Sequence, residues 1–160
     1  MKTQLSSTAF SQGQPIPLKY TGQGDDVSPP LQWTAGSTLP QRSAQIKSFA
    51  LICDDPDAPM GTFTHWVTYN LPATATSLPE NVAKTDTLPD GSKQGKNSFG
   101  NTGYNGPAPP PGKPHRYFFR LYALDTVLNP GSSPSKREVV NAMNGHVLAE
   151  GELMGTFQSR

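Results

Sequence analysis

The sequence predicts a mainly β fold, an antiparallel β-sandwich with a late helix packed at one end. Three observations lead there. Between Arg116 and Leu124 the side chains alternate, with Tyr117, Phe119, Leu121 and Ala123 on one face and Arg116, Phe118, Arg120 and Tyr122 on the other, the period of two that a half-buried strand requires. The 15 glycines and 17 prolines, a fifth of the 160 residues, are scattered as punctuation between short apolar runs, so turns are many and long helices few. Only one segment, after Ser133, combines a helix-start signal with helical spacing of apolar residues. The length suits a single domain spanning residues 1–160.

Two further strands are expected. Residues 48–53 (SFALIC) form a short apolar run, and residues 65–71 (HWVTYNL) alternate so that His65, Val67, Tyr69 and Leu71 share a side. Residues 16–21, 31–34 and 152–158 carry weaker strand patterns. The helix begins either with Ser133 as cap and Pro134 at the first helical position, or with Ser135 and Glu138 as a capping box. Val139, Val140, Met143 and Val147 supply its apolar stripe, and Gly145 leaves two endings open, one near Asn144 and one near Ala149. Antiparallel strands with one late helix give the sandwich.

Charge and composition exclude several classes. Thirteen basic against twelve acidic residues give a net charge of +1 with no block of one sign, which speaks against nucleic acid as the main partner. The first twenty residues lack the apolar run of a signal peptide, and no segment has the length of a membrane span, so a soluble, cytoplasmic protein is expected. Neither an amphipathic basic helix nor a lipidation motif points to membrane anchoring. The single Cys53 sits in an apolar run, where a small buried side chain is the ordinary reading. No cofactor fingerprint, nucleophile elbow or P-loop is present.

The chemistry-bearing residues cluster in two stretches. Asp55, Asp57 and Pro59 belong to Asp-Pro-Asp-Ala-Pro, directly after the strand at 48–53. Such a string is first of all a turn, since aspartate starts turns and proline presets φ. This one is unusually stiff and leads within a few residues to His65 at the mouth of the next strand, where a rigid scaffold can hold side chains for binding. The second stretch, Gly-Tyr-Asn-Gly-Pro-Ala-Pro-Pro-Pro-Gly-Lys-Pro-His-Arg-Tyr from Gly103, feeds straight into the strongest strand at His115. That continuity argues against a linker and for a rigid wall whose backbone amides approach a ligand closely. His146, placed in the helix, reads as structural.

Together with Ser-Pro-Pro-Leu-Gln-Trp (Ser28 to Trp33), His65-Trp66 and Gly-His-Val-Leu-Ala-Glu-Gly-Glu-Leu (Gly145 to Leu153), these motifs run in order along the whole chain. The sequence resembles the phosphatidylethanolamine-binding protein family, most closely its bacterial branch of Raf-kinase-inhibitor-like proteins. The resemblance implies an antiparallel Greek-key β-sandwich with a small anion pocket at one edge. It implies a binding site of Asp55, Asp57, Pro59, His65, His115 and Tyr117, walled by Gly106, Pro107 and Pro109, with Arg116 in a supporting position. It further implies a small anion as ligand (phosphate or a phospho-headgroup), no cofactor, a homodimer, and regulation of a kinase or protease as one possible role.

Carboxylates beside an anion site coexist if each aspartate accepts from one imidazole nitrogen, fixing the tautomer and turning the other nitrogen toward the guest. Tyr117 adds a hydroxyl. Two alternatives use the same residues: a facial metal site of two histidines and a carboxylate, and a hydrolase with Asp55 or Asp57 and His65 as acid and base.

Overall fold

The computed structural model describes residues 3–34 and 45–159. Among these residues, eight strands make two antiparallel sheets. β1 (Gln4–Ser6), β2 (Leu31–Thr34) and β5 (Ser77–Leu78) form the smaller, in the order β1-β2-β5. β3 (Ser48–Asp55), β4 (Phe63–Pro72), β6 (Lys93–Gln94), β7 (His115–Leu124) and β8 (Val147–Phe157) form the larger, in the order β6-β4-β3-β7-β8. The helix α1 (Lys136–Met143) precedes the last strand. No helix among the described residues is long and apolar enough to cross a membrane.

The main core lies between the sheets, around Trp33, Phe49, Leu51, Trp66, Tyr104, Phe119 and Leu121. A second, smaller core covers the outer face of the large sheet, where Val139 and Met143 of α1 pack with Ala50, Ile52, Val67 and Tyr69. Residues of β3 therefore meet apolar material on both faces, and all eight are buried. That is why this strand reads as an unbroken apolar run while β7, with one wetter face, alternates as expected.

In three places the structure settles or corrects the sequence reading. The helix takes the Ser135–Glu138 capping box, with both reciprocal hydrogen bonds present, and stops at Met143. Gly145 follows at φ +83°, a left-handed position that glycine adopts without strain, and β8 starts two residues later. His146 is thus outside the helix, its Nδ1 2.7 Å from Asp125. Residues 16–21 are not a strand: the amide of Ile16 donates to Thr156 on the edge of β8, and the chain then makes a single 3₁₀ turn at Leu18–Tyr20. With Thr3, Gly13 and Gln14 also bonded to β8, the N-terminal segment covers much of an edge that would otherwise invite pairing with another chain.

The third difference is in β4. Its residues do not keep one face, because the register with β3 slips twice. Asn70, at φ +56°, makes one irregularity and clamps it by exchanging two hydrogen bonds with the backbone of Leu128. Val67 and Tyr69 consequently face the helix-side core, while Leu71 joins Trp66 in the main core. The second slip pairs Cys53 with Trp66 but Asp54 with Thr64, leaving His65 as an unpaired extra residue. A bulge of this kind re-aims a side chain.

Candidate functional site

The end of β3, the bulge of β4 and the start of β7 meet at one sheet edge. Asp54 and Asp55 close β3 and point to opposite faces. On the helix side, Asp54 accepts from Thr64 Oγ1 at 2.8 Å and from Lys136 Nζ at 2.7 Å, tying the first residue of α1 to the sheet. On the other side, the buried Asp55 carboxylate lies 2.7 Å from His115 Nδ1 through Oδ2, while its Oδ1 accepts the Asp57 amide at 2.7 Å. A carboxylate only accepts, so the His115 proton sits on Nδ1 and Nε2 faces away from the aspartate.

His65 is anchored differently. Its Nδ1 donates to the carbonyl of Asn105 at 2.8 Å, and the Asn105 amide returns a bond to the His65 carbonyl at 3.1 Å. The ring is 3% exposed and packs edge-on against Tyr117, with centroids 5.2 Å apart. Phe63 and Phe99 complete its aromatic surround at 5.0 and 5.7 Å. Burial lowers the His65 pKa below its ordinary value, against the pull of the Asn105 carbonyl and of Asp55, Asp54 and Asp26.

Tyr117 is 1% exposed, and its hydroxyl has no hydrogen-bond partner. Its pKa is pushed far up, first by burial and then by the Asp55 carboxylate nearby. Buried hydroxyls are normally paired, and Tyr117 shares this exception with Thr3 Oγ1 and Trp33 Nε1 among the described side chains, the Asp55 carboxylate being its nearby acceptor.

Of the other expected residues, Asp57 stands beside the cluster but its carboxylate is committed. Arg116 donates to it from the backbone at 2.9 Å and from the guanidinium at 2.9 and 2.8 Å. This fork clamps the loop onto β7. Hydrogen bonding from Arg116 holds the Asp57 pKa at about 2, below its usual 3.8. The folded state therefore binds that proton less readily than the unfolded one, and the clamp stabilises fully above about pH 4 and fades as pH falls through about 2. The melting-temperature gap between wild type and Asp57→Asn is expected to close over that interval; a gap constant from neutral pH to about pH 2 would refute the clamp.

Pro59 is exposed farther along the loop. In the glycine-proline stretch, the expectation of amides free for a ligand is corrected at Gly106: its N–H donates to Asp26 Oδ1 at 2.6 Å. The glycine is required by close packing, since a Cβ there would stand 2.2 Å from the Tyr20 carbonyl oxygen. Pro107 and Pro109 are buried, with their carbonyls accepting from the Gly22 amide and the Ser159 hydroxyl. The wall is real, but it is docked on protein.

Asp26 and Asn105 were missed by the sequence reading. Asp26, at φ +58°, also accepts from Asn105 Nδ2 at 2.9 Å, and Asn105 Oδ1 accepts from Asn97 at 2.8 Å and Asn101 at 3.0 Å. This network holds the carbonyl that orients His65. Three asparagines within nine residues of a glycine-rich loop were the available signal. Among the described residues, no three His, Cys, Asp or Glu side chains are grouped so as to hold a metal ion.

Comparison with known proteins places this geometry. The family model for phosphatidylethanolamine-binding protein matches residues 6–158. A UPF0098 protein of Methanothermobacter thermautotrophicus is 51% identical over 154 residues, covering 96% of this chain and 97% of its own. The crystal structure of Escherichia coli YbcL, described as a new member of the mammalian PEBP family, superposes with a TM-score of 0.87 at 34% identity over the full length of both chains. That of a putative phosphatidylethanolamine-binding protein homolog from Chlamydia trachomatis gives 0.85 at 40% identity, covering 99% of each chain. With a family match over nearly every residue and relatives this similar in sequence and in fold, the chain belongs to the phosphatidylethanolamine-binding protein family.

Proposed function

We propose that this protein binds a small phosphorylated or inorganic anion at the edge formed by Asp55, His65, His115 and Tyr117, and that it acts by binding rather than by catalysis. The observation that carries the reading is the buried, unpartnered Tyr117 hydroxyl. It stands against His65 and within the field of Asp55, which itself positions His115. Each imidazole spends Nδ1 on a protein acceptor and keeps Nε2 for a guest.

Catalysis fits less well. Asp57, with a pKa of about 2, is too weak a base for neutral pH, and Asp55 already serves His115 and the Asp57 amide. Neither carboxylate is free to take a proton from water.

The test is calorimetric titration with phosphate and with phosphoethanolamine on wild type and on His115→Ala. Removing a hydrogen bond to a charged group is expected to weaken binding by about 10- to 100-fold. Because the variant leaves the buried Asp55 carboxylate without its ring donor, a thermal melt of His115→Ala accompanies the titration to separate lost binding from lost fold. Unchanged affinity in His115→Ala would move the ligand elsewhere.

A further inference from the structure

Asn105 determines more than the orientation of the His65 ring. A backbone carbonyl has no proton to give, so its 2.8 Å contact places the ring proton on Nδ1. On the neutral ring Nε2 is then a bare lone pair, able only to accept. The tautomer cannot readily swap, because Asn105 is held by Asp26, Asn97 and Asn101 and by its own amide bond to the His65 carbonyl. Burial favours the uncharged ring even with Asp55, Asp54 and Asp26 acting on it. Tyr117 has the opposite character, a buried O–H with no acceptor at full hydrogen-bonding geometry and only the Asp55 carboxylate close by. One wall of the site thus asks for a donor and another for an acceptor.

We propose that the site selects guests bearing both a proton and unprotonated oxygens, namely inorganic phosphate or a phosphomonoester bound as its monoprotonated form, over sulfate and phosphodiesters. The P–OH donates to His65 Nε2, while Tyr117 donates to a bare oxygen. His115 Nε2 donates when its ring is protonated; when neutral it adds a second acceptor and strengthens the demand for a proton on the guest. Sulfate and a diester have no proton to offer near neutral pH and would face the His65 lone pair with lone pairs of their own. Sites built around a hydrogen bond reject analogues that lack it. The inference rests on the anion-binding reading above and names its ligand class: an intact phospholipid headgroup, being a diester, is disfavoured relative to a free phosphomonoester.

Calorimetry at about pH 7 with phosphate, phosphoethanolamine, sulfate and glycerophosphoethanolamine separates the cases. Phosphate should bind about 10- to 100-fold more tightly than sulfate and glycerophosphoethanolamine, the cost of one buried unpaired acceptor. Phosphoethanolamine, with a second pKa of about 6 that leaves only about a tenth of it protonated at about pH 7, should fall about 10-fold short of phosphate. The sulfate deficit should shrink as pH falls below the ordinary imidazole range, where His65, its pKa lowered by burial, acquires its own proton. Nitrogen NMR on the free wild-type protein should report the His65 proton on Nδ1, a readout that needs no ligand and no variant. A phosphate-to-sulfate ratio under about fivefold with phosphate bound, or a His65 proton found on Nε2, overturns the selectivity and leaves anion binding standing. Binding of none of the four overturns both.

Discussion

Trp66→Ala is expected to cost about 4 kcal/mol of folding stability, the middle of the range for deleting a large buried aromatic. Trp66 is fully buried in the main core, meets Tyr104 edge-on at 5.5 Å, and donates from Nε1 to Gln94 Oε1 at 2.8 Å. Alanine removes the ring, leaves a cavity between the sheets and strips the Gln94 oxygen of its donor. Gln94 stays held by its bonds to the Ala83 and Thr85 carbonyls, so the cavity dominates the loss. For a chain of this length the melting temperature should fall by about 10 °C. Trp66→Phe, which keeps most of the volume, should lose about half as much or less. Urea denaturation checks both; a loss under about 1 kcal/mol for the alanine variant would mean that the sheets close over the gap.

Gly106→Ala should be nearly as damaging, at about 3 kcal/mol, although it adds only a methyl group. Its Cβ would stand 2.2 Å from the Tyr20 oxygen and 2.8 Å from the Thr21 Cα, both backbone atoms that cannot swing aside. The segment must retreat, which breaks the 2.6 Å bond from the Gly106 amide to Asp26 and loosens the adjoining Asn105. Because Asn105 carries the carbonyl that orients His65, the variant should also lose the fixed His65 tautomer. Denaturation together with NMR of the His65 ring would check this. A variant of wild-type stability with an unaltered ring signal would show that the wall is not packed as tightly as its geometry indicates.

Some features were legible because they rest on local chemistry. The alternation of β7 follows from one strand having one buried face, and the apolar run of β3 from its central place. The capping box was written in Ser135 and Glu138. Asp55, His65 and His115 were found as candidates because histidines at strand starts beside a stiff acidic loop are an uncommon combination, and Tyr117 was added only by the family resemblance. Strands of two or three residues, such as β1, β5 and β6, left no pattern long enough to detect. The faces of β4 were misassigned because each bulge shifts the period of two by one residue, and its causes lie far off in sequence. Asn70 is clamped by Leu128, and His65 is bonded to Asn105.

By itself, the sequence determined the sandwich, the one helix, the family resemblance and the residue types available at the sheet edge. These depend on periodicity, capping and turn chemistry, which act over a few neighbours. Only the tertiary structure decided what those side chains are free to do. Asp57 and the Gly106 amide, both candidates for a guest, are spent on Arg116 and Asp26. Tyr117 keeps an unspent hydroxyl, and His65 has its proton placed by a carbonyl forty residues away. Hydrogen-bonding capacity is finite at every atom, so what remains for a ligand is known only when every internal partner has been placed.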